Sequence, residues 1–239
     1  METVELFKQY LEQLFAGKRA GARELLFAAH DRGFGADRLL SNIIWPAMEQ
    51  INKLHREGHI SQIVEHMATR INRMVADQLH SVLNRKPKDG RRMVIFCGAD
   101  EAGELGAQIS SDLFEAEGWT VWFVGSGIPN DEALKFLGNI EPDLLYIYGS
   151  LPPEVPGVRK LIELIREVGV CENMQVMVCG GVYGRVEELA EEIRVDLFAK
   201  NIRDAIALAE DHPDRVELDD KPEPGRRRKR APPNSKGRN

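Results

Sequence analysis

The feature that most constrains this fold is a strict alternation, after residue 91, of short apolar runs with segments of helical periodicity. The runs predict five strands, at Met93–Cys97, Thr120–Val124, Leu144–Tyr148, Gln175–Cys179 and Leu197–Ala199. Strands that alternate with helices are joined by right-handed crossovers, which produce a parallel sheet with helices on both of its faces. We therefore predict an α/β domain over residues 91–212, with a flavodoxin-like, doubly wound sheet of five parallel strands.

Residues 1–85 show helical periodicity alone. Apolar residues recur there at spacings of three and four in four segments, and short connections between them favour an antiparallel four-helix bundle. Pro46 lies inside the third segment and predicts a kink, because proline has no N–H to donate and its ring clashes with the preceding turn. Ser61 is the predicted N-cap of the fourth helix.

The charge of the chain is distributed unevenly. Residues 221–239 contain eight Lys or Arg and one acidic residue, so the rest has 24 basic and 37 acidic residues, a net charge of −13 within a total of −6. An acidic body does not suit nucleic acid, and only the basic cluster 226–230 could contact phosphate or an acidic partner. Because its end is rich in proline and charge, we predict that the segment 213–239 is a disordered tail.

Several function classes are excluded by what the sequence lacks. No apolar run approaches the ~20 residues that cross a bilayer, and the N-terminus lacks the basic-then-apolar order of a signal peptide. The cysteines Cys97, Cys171 and Cys179 show no metal-type Cys-x-x-Cys spacing, so a reducing cytoplasm is expected. We find no Walker-type loop and no nucleophile with a recognisable base, and therefore expect a protein that is not itself an enzyme.

Glycine-rich loops follow the predicted strands. Gly98–Gly106 follows the first strand and precedes a helix predicted from Ala107, while Gly125 follows the second strand and Gly180-Gly181 the fourth. The carboxyl ends of parallel strands meet at one edge of the sheet, which is where open α/β sheets bind cofactors. The sequence therefore predicts a ligand site at this edge.

Motifs in both halves carry a family resemblance. They are Glu101-x-Gly103-x-x-Gly106, Pro142-Asp143-Leu144 and Gly180-Gly181 in the α/β half, and Pro46-Ala47-Met48 and Gly58-His59-Ile60-x-x-x-x-Glu65-His66 in the bundle. In order and spacing they resemble the cobalamin-binding domain family with an N-terminal helical cap, as in methionine synthase, corrinoid methyl-carrier proteins and light-sensing cobalamin regulators. The resemblance implies a corrinoid, or another tetrapyrrole, held between bundle and sheet.

Two motif positions depart from the family pattern. Gly103 stands where the family has its cobalt-ligating His, which leaves Glu101 with no imidazole to orient. Tyr148 stands where the family has a Ser beside the path of the cofactor's lower nucleotide tail. A tyrosine there would narrow this path, unless a shift of two residues brings Ser150 to the position of the family's Ser. We therefore expect cobalamin whose own base remains on the cobalt. Haem, or no ligand at all, is the alternative.

The resemblance also assigns roles within the bundle. His55 stands where the family has a Trp lid over the corrin, and we predict that it is an axial metal ligand, while Glu65 and His66 face the same seam. The predicted cofactor-binding residues are His55, Glu65, His66, Glu101, Gly103, Gly106, Gly125, Tyr148, Ser150, Gly180 and Gly181.

The leading functional prediction is a sensor or regulator that reports the state of its tetrapyrrole to an effector or signalling protein, with homo-oligomerisation possible. One alternative is a corrinoid methyl-carrier protein for a methyltransferase system. The other is a ligand-free interaction scaffold.

Overall fold

The computed structural model of the chain describes residues 3–99, 101–149, 152–185 and 192–215. Ser150 and the basic cluster 226–230 lie outside these ranges. The first half consists of helices α1 (Thr3–Phe15), α2 (Arg19–Asp31), α3 (Ala36–Leu39), a π-helical turn (Leu40–Ile44), α4 (Trp45–Arg56) and α5 (Gln62–His80). Ser61 caps α5 as predicted, since its Oγ accepts a hydrogen bond from the N–H of Val64 at 3.4 Å.

The predicted kink at Pro46 takes the form of the π-helical turn, which ends just before α4. A proline donates no backbone hydrogen bond, so the helix widens at this point. Asn72 of α5, which is fully buried, donates from Nδ2 to the carbonyl oxygen of Ile44 at the end of the widened turn, at 3.1 Å. The hydroxyl of Tyr10 in turn donates to Asn72 Oδ1 at 3.0 Å. This network joins three helical segments of the bundle.

The second half is a parallel sheet with strand order β2-β1-β3-β4-β5. Its elements are β1 (Arg92–Cys97), α6 (Glu101–Ala116), β2 (Thr120–Gly125), α7 (Asn130–Ile140), β3 (Leu144–Tyr148), a 3₁₀ turn (Pro152–Glu154), α8 (Val155–Val168), β4 (Gln175–Cys179), α9 (Gly181–Arg185), β5 (Leu197–Ala199) and α10 (Ile202–Asp211). Every strand pairing is parallel. The order confirms the predicted flavodoxin-like fold, and its crossovers reverse direction between β1 and β3, which makes their carboxyl ends the switch point of the sheet.

Helix α6 begins earlier than the sequence indicated. We expected a loop through Gly106 and a helix from Ala107, but α6 starts at Glu101, so Gly103 and Gly106 lie within its first turns. Residues 101–107 include good helix formers, and the two glycines weaken the helix without preventing it. The ligand-facing loop after β1 is correspondingly short.

The sheet separates two hydrophobic layers, one on each of its faces. Alternate residues of β3 point to opposite faces, so that Leu145 and Ile147 pack with α7 and α8, while Tyr146 and Tyr148 pack with α6 and α10. The layer that contains Tyr146 and Tyr148 continues without interruption into the bundle, where it includes Trp45. The bundle therefore lies against one face of the α/β half, with α4 and α5 packed on α6.

Polar contacts line the junction of α5 with α6. Arg73 donates to Glu104 and to Gln108, both at 3.3 Å, and Nδ1 of His80 lies 2.8 Å from Oδ1 of Asp112. Burial raises the pKa of the Asp112 carboxyl to about 6, an effect that the neighbouring His80 partly opposes. Within the described part of the chain, no helix combines the length and apolarity required to span a bilayer.

Candidate functional site

A cavity of about 260 Å³ opens at the carboxyl ends of β1, β2 and β3. Its walls are the end of β1 with the loop after it, the loop after β2, the end of β3 and the first turn of α8. The lining residues include Gly98, Ala99, Gly125, Ser126, Gly127, Ile128, Asn130, Tyr148, Glu154 and Gly157. This edge cavity lies at the switch point of the sheet, the position at which doubly wound folds bind their ligands.

Two of the glycines in the edge cavity have backbone conformations that favour glycine. Gly125 and Gly127 have φ values of +88° and +73°, and a Cβ atom at either position would meet open space. The loop after β2 therefore turns away from the sheet without placing side chains at these two positions. Gly125 is one of the predicted cofactor-binding residues, and the open space beside it is compatible with that role, which stays a prediction.

Glu154 closes one side of the edge cavity. Its Oε1 accepts a hydrogen bond from the backbone N–H of Ala99 at 3.1 Å, and a Cβ atom at Gly98 would lie only 2.0 Å from the same oxygen. The carboxylate thus occupies a backbone donor that follows β1, where such donors often face a ligand. Sequence reasoning missed this residue, because nothing in the local pattern around Glu154 indicates a contact with a loop so distant in the chain.

Tyr148 is buried against the bundle. Its side chain is 1% exposed, and its ring lies edge-on to that of Trp45, with ring centroids 5.3 Å apart. On the other side it touches α6 so closely that a Cβ atom at Gly106 would lie 2.3 Å from Cζ of Tyr148. Two residues that the sequence singled out, Gly106 and Tyr148, are therefore in contact, and Gly106 provides the space that the tyrosine ring fills.

Further aromatic rings follow below Tyr148 on the same face of the sheet. Phe114 lies edge-on to Tyr146 at 5.9 Å and to Trp119 at 5.6 Å. Oγ of Ser110 lies 3.0 Å from the hydroxyl oxygen of Tyr146, whose pKa is raised well above its usual value by burial. We name this set the aromatic column. Its members, none more than 3% exposed, are Trp45, Tyr148, Tyr146, Phe114 and Trp119.

The double glycine serves chain packing in this structure. Gly180 has a φ of +113°, and a Cβ atom there would lie 2.3 Å from the carbonyl oxygen of Gly149. The ends of β3 and β4 are therefore in direct backbone contact, and the N–H of Gly149 donates to the carbonyl of Cys179 at 2.9 Å. Gly181 begins the short helix α9. The close approach explains Gly180 without a ligand.

The histidines predicted from the bundle are not joined to these loops. His55 is exposed, and its imidazole makes no hydrogen bond or ion pair with the described residues. His66 is half-exposed, with Nε2 3.4 Å from Oε2 of Glu65. The other carboxylate oxygen of Glu65, Oε1, accepts a hydrogen bond from the hydroxyl of Thr69 at 3.2 Å. The side chain of Glu101 lies outside the described part of the structure. Among described residues, no group of three or more His, Cys, Asp or Glu is arranged to hold a metal ion.

These observations test whether the site fits a corrinoid. The path that the resemblance assigns to the nucleotide tail runs beside residue 148 toward the double glycine, and here it is filled by Tyr148 and crossed by the contact of Gly149 with Gly180. Gly103 offers the cobalt no imidazole. The carboxyl edge, in contrast, is open at the edge cavity. The site therefore fits a macrocycle at the edge of the sheet, but not a nucleotide tail inside it.

Comparison with known proteins identifies relatives of both halves. Residues 6–80 match the family described as B12 binding domain. Dimethylamine corrinoid protein 1 of Methanosarcina acetivorans is 21% identical over 211 residues, which cover 85% of this chain and 97% of the relative. Dimethylamine corrinoid protein 2 of the same organism is 24% identical over 171 residues, which cover 69% of this chain and 76% of the relative.

The fold is also that of a solved corrinoid protein. The structure of the Methanosarcina barkeri monomethylamine corrinoid protein superposes with a TM-score of 0.76 at 18% identity, covering 87% of this chain and 98% of that one. These relatives are named as corrinoid proteins rather than as methyltransferases, in agreement with the prediction that the chain is not itself an enzyme. None of them supports the predicted sensor. The helical half therefore matches the B12 binding domain family over residues 6–80, and the chain as a whole is similar in sequence and fold to corrinoid proteins.

Proposed function

We propose that this protein binds a corrinoid between its bundle and the carboxyl edge of its sheet, and that it carries a methyl group for a methyltransferase. This was the alternative to a sensor, and the names of the relatives favour it. The match to a dimethylamine corrinoid protein extends over both halves and nearly the whole length of that relative. The cofactor would supply a cobalt that can accept and release a methyl group.

One observation carries the proposal most directly. The edge cavity opens at the switch point of the sheet, and Tyr148, one of its lining residues, is also the residue on which Trp45 of the bundle packs. Tyr148 is thus shared by the carboxyl edge and by the contact with the bundle, while the lining of the cavity itself comes from the α/β half. Burial of the ring faces supplies the binding free energy, at about 25 cal/mol per Å² of apolar surface.

The cobalt would keep its own base on the lower side, since Gly103 provides no side chain that could replace it. On the upper side, His55 at the end of α4 could hold the metal only while no methyl group is bound there, and it would give up that position when the methyl group binds. The pair formed by Glu65 and His66 on α5 is proposed to face the same space.

Reconstitution tests this proposal. The full chain is mixed with hydroxocobalamin, and in parallel with haem, and the absorbance of the protein fraction is measured after gel filtration. Co-elution of cobalamin with its base coordinated is the expected result. Co-elution of haem alone would favour a different tetrapyrrole protein, and absence of both ligands would leave only the interaction scaffold.

A second measurement separates a carrier from a sensor. The protein is loaded with methylcobalamin, and its mass is determined by light scattering before and after illumination removes the methyl group. A carrier that waits for its methyltransferase is expected to keep the same mass. A change of oligomeric state on illumination would support the sensor instead, because a sensor must couple the state of its ligand to an interaction.

A further inference from the structure

We infer that the edge cavity is the receptacle for the lower base of a base-coordinated corrinoid, so that this protein selects corrinoids that retain their nucleotide on the cobalt. The inference rests on the proposed function and specifies which form of the cofactor is bound. It is carried by the size and place of the cavity and by the closure of the routes beside it.

The edge cavity is too small to hold a whole corrinoid. Its volume of about 260 Å³ lies below the range of about 300–1,000 Å³ typical of pockets for whole small molecules. A complete corrinoid cannot enter it, but a part that protrudes from the macrocycle can. A base coordinated to the cobalt protrudes from one face of the ring, so a ring lying on the sheet edge needs a hollow beneath it.

The interior of the α/β half beside the edge cavity is filled by buried residues. The aromatic column occupies the space between the sheet and α6, and each of its five rings is at most 3% exposed. Between β3 and β4, the backbone contact of Gly149 with Gly180 leaves no room even for a Cβ atom. A base released from the cobalt would therefore find no place among these buried residues, and its release would gain no contacts.

The walls of the edge cavity combine glycines with polar side chains. Gly125 and Gly127, whose Cβ atoms would meet open space, keep the loop after β2 free of side chains at these positions, and Ser126, Asn130 and Glu154 provide polar groups that can meet a nucleotide. Gly157 lines the opposite side from the first turn of α8. A Cβ atom at Gly157 would meet nothing within 4 Å, so a larger side chain there would extend into open space.

The test compares two probes, cyanocobalamin and cyanocobinamide, which share the macrocycle but differ in the nucleotide. Equilibrium binding to the full chain is followed by absorbance. We expect cyanocobalamin to bind at least about ten-fold more tightly, with its base still coordinated in the bound spectrum. Equal affinities, or a bound spectrum with the base released, would overturn the inference while leaving corrinoid binding intact. Failure of both probes to bind would refute the proposed function and this inference with it.

A matched pair of variants locates the base. Gly157→Leu should reduce the affinity for cyanocobalamin to about that for cyanocobinamide, and leave the latter unchanged. Gly138→Leu is the control, since Gly138 is also a helical glycine whose Cβ atom would meet open space, but it does not line the edge cavity. If Gly157→Leu keeps the preference for cobalamin, the base binds elsewhere and the inference fails. Thermal unfolding confirms that both variants are folded.

Discussion

Replacing Gly106 by alanine should destabilise the protein, although the same change normally favours a helix. Alanine is better than glycine in a helix interior by about 0.8–1.0 kcal/mol. At this position, however, the new Cβ atom would lie 2.3, 2.6 and 2.7 Å from Cζ, Cε1 and the hydroxyl oxygen of Tyr148. Carbon atoms prefer separations of about 3.5–4.0 Å, so one of the two groups must move by more than about 1 Å.

The buried ring cannot move freely, because Trp45 packs against it. Overpacking of this kind costs about 1–3 kcal/mol, which exceeds the helix-propensity gain over most of that range. We therefore expect Gly106→Ala to lower the free energy of unfolding by up to about 2 kcal/mol. Gly138→Ala, at an unobstructed helical glycine, should instead raise it by about 0.5–1 kcal/mol.

Urea unfolding followed by far-UV circular dichroism measures both changes, and a double-mutant cycle identifies their cause. In a Tyr148→Ala background the obstruction is absent, so Gly106→Ala should become neutral or stabilising, which corresponds to a coupling of about 2 kcal/mol. If Gly106→Ala stabilises the wild-type protein as much as Gly138→Ala does, Tyr148 does not occupy this space. The conclusion that buried aromatic rings fill the space between the sheet and α6 would then be wrong.

Asn72→Leu should lower the free energy of unfolding by about 1–3 kcal/mol, because it leaves the hydroxyl of Tyr10 buried without its acceptor and removes the hydrogen bond to the carbonyl oxygen of Ile44. Urea titration beside Tyr10→Phe, which is expected to lose about 1 kcal/mol, measures the difference. The raised pKa of Asp112 contributes stability that is fully present below about pH 4 and is lost as the pH rises through about 6. Between about pH 5 and 8 the wild type should therefore lose about 1 kcal/mol that Asp112→Asn retains, and equal pH dependence of the two unfolding midpoints would contradict this. His55→Ala should alter the absorbance spectrum or affinity of bound cobalamin, whereas His59→Ala should change neither; identical spectra for both variants would remove His55 from the site.

Local sequence patterns were sufficient for the fold. The period of the apolar residues changes from helical to strand-like after residue 91, and this alternation predicts the parallel sheet. The observed order of its strands is that of the flavodoxin-like arrangement that we predicted. The cap at Ser61 and the disturbance at Pro46 were also predictable, because each depends on groups within a few residues of it.

The site was less accessible to sequence reasoning, since its determining contacts join distant segments. Tyr148 could be recognised as a departure from the family motif, but its packing between Gly106 and Trp45 depends on how the bundle docks. The hydrogen bond from Ala99 to Glu154 likewise has no local signature. Helix α6 was predicted to start too late because Gly103 and Gly106 are typical of a loop. Nothing in the local sequence indicates that the ring of Tyr148 packs on Gly106.

The contact of Trp45 with Tyr148 has a consequence for how a methyl-transferring partner could reach the ligand. Exposing on the order of 100 Å² of this buried aromatic surface costs about 2.5 kcal/mol at about 25 cal/mol per Å². An equilibrium with that free-energy difference has about one molecule in a hundred in the open form, and a partner that binds only that form has an apparent affinity about a hundred-fold below its intrinsic value. A partner that offered an apolar surface of its own to Trp45 would recover much of this cost. The surface of the bundle around α4 is thus where selection for the correct methyltransferase would act.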